Sequence, residues 1–109
     1  MPGLRDQSCQ PRTGAALTRE RAQALLGQLD GWALNDGATS IERQFRFNDY
    51  HETIAFVNAL AQVVHREDHH PELVVGYNRC AVRFSTHSVK GLSENDFICA
   101  AKIDALAAR

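Results

Sequence analysis

A change of hydrophobic rhythm at His69-His70-Pro71 constrains this chain more than any other stretch. Upstream, Ile54, Val57, Leu60, Ala61 and Val64 recur at helical spacing after Asn48, a residue type that caps helices. Pro71 cannot continue a helix and pushes His70 toward an extended backbone, so that helix must end near His69. Downstream, Leu73, Val75 and Tyr77 alternate with Glu72, Val74 and Gly76, and Val82 and Phe84 alternate with Arg83 and Ser85. Period-2 alternation predicts two strands around a turn at Gly76 to Arg79. Such a hairpin folds His87 back toward His69 and His70.

The remaining elements follow from simpler signals. Residues 1–16 hold Pro2, Gly3, Pro11 and Gly14 without periodicity and read as a loose, flexible arm, leaving 17–109 as the folded domain. Thr18 is an N-cap for a helix carrying Ala22, Leu25, Leu26 and Leu29, which should stop at Asp30-Gly31. Trp32 to Leu34 and Ser40 to Phe47 read as strands around Asn35-Asp36-Gly37. In the second of these Ile41, Phe45 and Phe47 face one side, and Arg43 interrupts it, as at a solvated strand end, an edge or a cleft. Ser93 and Asp96 form a capping box for a last, alanine-rich helix, with Leu92 and Phe97 as its hydrophobic staple. The order helix-strand-strand-helix-strand-strand-helix predicts an α+β fold, a two-layer sandwich with three helices on one face of a four-stranded antiparallel sheet.

At 109 residues a chain buries roughly two thirds of its unfolded surface in one domain without staples. A net charge of -1 gives no electrostatic pull toward nucleic acid or an anionic membrane. No apolar run approaches the ~18 residues of a membrane helix, and the N-terminus lacks the apolar core of a secretory signal. Cys9, Cys80 and Cys99 are widely spaced with no CxxC pair, so neither a disulfide framework nor a cysteine zinc site is indicated, and a reducing cytoplasm is the expected setting.

Four of the five histidines fall between His65 and His87. Imidazole titrates near neutrality, so their convergence points to proton transfer or to metal binding. His65 and His69 are four apart and could share a helix face, and with His87 they sketch the metal site of a metal-dependent hydrolase; His65 to His69 approximates the HxxEH zinc pattern, with Asp68 where glutamate is expected. His65 could equally serve the helix C-terminus through its dipole. His51 lies away from the cluster and reads as a surface residue. Asp96 has a sufficient local explanation as the capping partner of Ser93.

The ordered elements His69-His70-Pro71, Tyr77-Asn78, Ser85-Thr86-His87 and Gly91-Leu92-Ser93-Glu94-Asn95-Asp96, with Gly31-Trp32 and Phe45 to Tyr50 upstream, resemble the pterin-4a-carbinolamine dehydratase family over about residues 17–107. The resemblance implies a cofactor-free, metal-free enzyme that dehydrates 4a-hydroxytetrahydropterin to quinonoid dihydropterin in the recycling of the pterin used by aromatic amino acid hydroxylases. It implies His69, His70, His87 and Asp96 as catalytic residues, with Trp32, His65, Ser85 and Thr86 at the pterin. His65 departs from the glutamate many members carry there. The resemblance further implies a homodimer or homotetramer, functional coupling to a hydroxylase, and, as an alternative activity, a non-catalytic dimerisation module. Loss of water needs one proton delivered to the departing hydroxyl and one removed from nitrogen, work suited to two or three imidazoles.

Overall fold

Alternation along the strands becomes a sheet with one buried face. β1 (Ala33–Leu34), β2 (Ile41–Arg46), β3 (Glu72–Val75) and β4 (Arg79–Phe84) lie in the order β1-β2-β4-β3, each neighbouring pair antiparallel. The structure, a computed structural model, describes residues 3–107. Register sets Ile41 against Phe84 and Phe45 against Cys80, so these side chains share a face with Val82, and all five are buried. Glu42, Gln44, Arg46, Arg79 and Arg83 point the other way and are exposed. Helices α1 (Arg19–Leu26), α2 (Tyr50–Glu67) and α3 (Glu94–Ala107) cover the apolar face, giving the expected α+β sandwich of three helices on four strands. Each large side chain buried there contributes about 1.5–3 kcal/mol.

Three local expectations are corrected by packing. α1 stops at Gly27, four residues before Gly31, because Gln28 and Leu29 turn tightly onto the carbonyls of Leu25 and Leu26; Gly31, at φ +83°, turns the chain into β1. In α2 Leu60 and Val64 are buried as expected, but Thr53, Phe56 and Val63 join them in place of Ile54, Val57 and Ala61, a rotation toward the preceding positions, and the cap is Asp49. Phe56 decides the rotation by packing on Phe45 and Phe47, at ring separations of 4.7 and 5.1 Å. Thr53 tolerates burial because its hydroxyl reaches the carbonyls of Asp49 and Tyr77, both at 2.9 Å. Arg43 is on the core face just past the end of β1, where it lines a cleft with Phe45, Phe47 and Phe56 and is not free in solvent. Its guanidinium bonds Asp104 at 2.8 Å and the Asp30 carbonyl at 3.0 Å, and lies over the Phe45 ring.

The segment read as a loose arm is laid along α3. Met1 and Pro2 lie outside the described residues, as do Ala108 and Arg109 at the end of the expected domain. Leu4, in a short 3-10 turn (Leu4–Asp6), is buried in the core. Asn95 of α3 then acts as a clamp: its Oδ1 accepts from the Gln10 amide and Arg12 Nε, and its Nδ2 donates to the Gln10 carbonyl. With the sheet on one side and this segment on the other, α3 is buried continuously from Asn95 to Ala100.

Candidate functional site

Helix α2 ends in a way that aims His69 across the molecule. Asp68 takes the left-handed conformation at φ 53°, with its amide donating to the His65 carbonyl, and the His69 amide donates to the Val64 carbonyl. These bonds satisfy the last carbonyls of the helix and swing the chain off its axis. His69 therefore leaves the helix face that carries His65 and turns toward α3. Its ring lies parallel to that of Phe84, with 5.9 Å between centroids and 8° between planes.

Asp96 receives it. The carboxylate is fully buried in the first turn of α3, where the helix N-terminus favours negative charge. Its Oδ1 accepts from His69 Nε2 at 2.6 Å; its Oδ2 accepts from Thr86 Oγ1 at 2.8 Å and from the Ser93 amide at 2.9 Å. Because the Thr86 proton is directed to Asp96, Ser93 Oγ, 2.7 Å from Thr86 Oγ1, donates to Thr86. The capping box forms as expected through the carboxylate arm, while Ser93 Oγ accepts from the Asn95 amide instead of that of Asp96. Every buried side-chain polar atom among the described residues is satisfied, so the pair is held in a closed hydrogen-bond network.

Two hollows meet at His70, Ser85, Thr86 and His87. One, of about 500 Å³, is also lined by His69, Asp68 and the segment Cys9 to Arg12. The other, of about 670 Å³, extends toward Asn35, Ser40 and Lys90. Both volumes fall in the range of small-molecule sites. The smaller is the stronger candidate because, of the two, it alone is lined by His69, the partner of buried Asp96. His87 sits in a short 3-10 turn (His87–Val89) just after β4 and lines the smaller hollow together with His69 and His70, so the hairpin does return it to the histidine pair.

The other residues expected at the site divide. Ser85 is exposed and borders both hollows. Thr86 is only 4% exposed with its hydroxyl directed to Asp96, so it orients the carboxylate and does not present that hydroxyl to a ligand. His65 is exposed in a separate groove with Ala61, Gln62 and His70, which splits the expected His65, His69 and His87 grouping. Among the described residues no set of three or more His, Cys, Asp and Glu side chains is arranged to hold a metal ion. His51 is exposed at the start of α2. Trp32 is in the core: its Nε1 donates to Asp104 at 2.9 Å and its ring packs on Phe84, 5.9 Å away, so Phe84 stands between it and His69. Burial pushes the Asp104 carboxyl up from its ordinary value, against the opposing pull of Trp32 and Arg43.

The residues missed by sequence reasoning are those of the N-terminal segment. Cys9 and Arg12 line the hollow, and Glu67 accepts the Cys9 amide at 2.9 Å. Residues 10 and 95 are 85 positions apart, and no local pattern announces their pairing.

Comparison with known proteins converges on one family. The family described as pterin 4 alpha carbinolamine dehydratase matches residues 15–106. A Stenotrophomonas maltophilia protein provisionally named a pterin-4-alpha-carbinolamine dehydratase is 57% identical over 105 residues, covering 94% of this chain and 90% of its own. A Bdellovibrio bacteriovorus protein with the same provisional name is 62% identical over 96 residues, covering 84% and 78%. Among solved structures, a transcriptional coactivator/pterin dehydratase from Brucella melitensis superposes with a TM-score of 0.81 at 38% identity, over 84% of this chain and 98% of that one. A pterin dehydratase-like protein identified as a RuBisCO assembly factor in the alpha-carboxysome gives a TM-score of 0.62 at 26% identity, over 71% and 89%.

Proposed function

The chain belongs to the pterin 4 alpha carbinolamine dehydratase family, and from that premise we propose that it is a lyase removing water from a 4a-hydroxytetrahydropterin to give the quinonoid dihydropterin. The observation that carries the reading is the 2.6 Å bond between His69 Nε2 and buried Asp96, beside a hollow that His70 and His87 also line. Asp96 accepts the Nε2 proton, which leaves the other ring nitrogen of His69 free to take or hold the mobile proton. His69 and His87 form the acid and base pair: one protonates the departing C4a hydroxyl, and the other takes the N5 proton. Water leaves, one proton is given and one recovered, and no oxidation state changes. His70 and Ser85 orient the pterin.

Two or three placed groups contributing about 10²-fold to 10⁴-fold each suffice for an elimination that already proceeds slowly unaided. Thr86 and Ser93 act through Asp96. The physiological setting in this reading is recycling of the pterin cofactor of aromatic amino acid hydroxylases in the cytoplasm. The working form is a homo-oligomer, since edge strand β3 leaves Val74 and Val75 63% and 40% exposed beside unpaired backbone groups.

The relative named as an assembly factor supports a second reading, a non-catalytic binding module on the same fold. Rapid-mixing measurement of 4a-hydroxytetrahydropterin decay, with and without protein and with excess chelator, separates the two. Acceleration that survives chelation and is lost in His69→Ala and His87→Ala is expected. Decay at the unaided rate would end the enzymatic claim.

A further inference from the structure

Cys9 and Cys99 are 90 residues apart in sequence, yet their sulfurs lie 3.5 Å from each other where the N-terminal segment crosses α3. The site adjoins the candidate pocket on two sides. Cys9 lines the hollow beside His69, and the Cys99 thiol also approaches the His69 carbonyl at 3.9 Å. Cys9 is half-buried and open to small solutes, whereas Cys99 is fully buried. The third cysteine, Cys80, is buried in the sheet.

We propose that Cys9 and Cys99 are a redox-modification site, which hydrogen peroxide converts to a reversible disulfide that fixes residues 9–12 to α3 as a wall of the hollow. The inference deepens the proposed function, because its significance rests on that hollow being the substrate site. The hydrogen bond with Cys9, then burial, push the Cys99 thiol up, so it keeps its proton and remains the partner in reserve. Cys9, the accessible thiol, reacts first. Its sulfur displaces hydroxide from the peroxide O–O bond to give a sulfenic acid, and the thiol proton leaves with that hydroxide as water. The Cys99 sulfur then displaces hydroxide from the Cys9 sulfur, forming the S–S bond, and the Cys99 proton completes a second water. Two thiols lose two electrons and two protons, and one peroxide becomes two waters.

A disulfide requires the sulfurs to close from 3.5 Å to about 2.05 Å, a shift of roughly 1.5 Å. The segment that must move is held by hydrogen bonds to Asn95 and Glu67, which tolerate such a shift better than two packed helices would. Where the cellular environment is reducing, a bond of this kind is transient and serves sensing.

The test treats the whole protein with hydrogen peroxide, blocks remaining thiols by alkylation, and maps peptides without reduction. Expected are a linked peptide containing Cys9 and Cys99, reversed by dithiothreitol, formed in Cys80→Ala and absent in Cys9→Ser and Cys99→Ala. The amides of Cys9 and Gln10 should then exchange with deuterium on the order of tenfold more slowly in the oxidised protein, since opening of the segment is blocked. The denaturation midpoint should rise on closing so long a span. Recovery of both cysteines as alkylated thiols, oxidation that halts at Cys9, or linked protein with unchanged exchange would each overturn the proposal. These readouts need no turnover, so an inactive reduced protein counts against the dehydratase reading alone.

Discussion

Replacing Asp96 with asparagine keeps the side chain's shape while removing one acceptor from a place where three donors converge. His69 Nε2 occupies one carboxylate oxygen at 2.6 Å, and Thr86 Oγ1 and the Ser93 amide share the other at 2.8 and 2.9 Å. An amide offers one oxygen and one NH₂. If the oxygen stays with Thr86 and Ser93, the NH₂ faces His69 Nε2, which must give up its proton and present a lone pair. The ring proton moves to the other nitrogen, and the group that was free to accept a proton becomes a donor. Losing the charge-assisted bond costs about 1.5–3 kcal/mol, a fall of roughly 6–12 °C in Tm for a domain of this size. The misplaced proton lowers kcat by about 10²-fold to 10⁴-fold. Decay of 4a-hydroxytetrahydropterin gives the kinetic arm, thermal unfolding the stability arm, and ¹⁵N shifts of the His69 ring report the tautomer directly. A variant with the tautomer switched but kcat within about twofold of the parent, against that 10²-fold floor, would refute the assignment of His69 as a proton carrier.

Other outcomes follow from the same geometry. His87→Ala, at an exposed position, should lose about 10²-fold to 10⁴-fold in kcat while its unfolding free energy from urea titration stays within about 0.5 kcal/mol of the parent; parallel losses would mean a structural role. Asp104 has a folded pKa raised by burial, so its contribution to stability is full below the ordinary carboxylate pKa and is lost as pH rises through the raised value. Asp104→Asn retains an acceptor for Trp32 and Arg43, and the stability advantage of the parent over it should therefore decline across that acidic window in urea titrations at stepped pH. Gly31→Ala should destabilise by about 1–2 kcal/mol or more, because φ is +83° and the added carbon would meet Arg43 Nε at 2.9 Å; an unchanged Tm would contradict the backbone there.

The helix-to-strand switch at Pro71, the alternating faces of β2 and β4, and the Ser93–Asp96 box were legible because each is a repulsion or a bond between near neighbours. The resemblance to the family added the candidate site residues at once. Where the reading slipped, a distant partner had intervened. The α2 stripe turned toward the preceding positions because Phe56 found Phe45 and Phe47. Arg43 entered the core face because Asp104, 61 residues on, supplied a counter-charge. His65 and His69 parted because Asp68 turned left-handed, a choice that a helical wheel cannot anticipate.

What the chain alone determined is the list of elements and the chemistry on offer, since helical and strand periodicity, a proline stop and a capping box act within a few residues. Tertiary structure decided which imidazole meets the carboxylate. It also decided that Thr86 supports Asp96, that Trp32 lies behind Phe84, and that residues 9–12 wall the hollow. Those outcomes depend on contacts between α2, α3, the β4 hairpin and the N-terminal segment, whose geometry is set by burying a shared core and by no local rule.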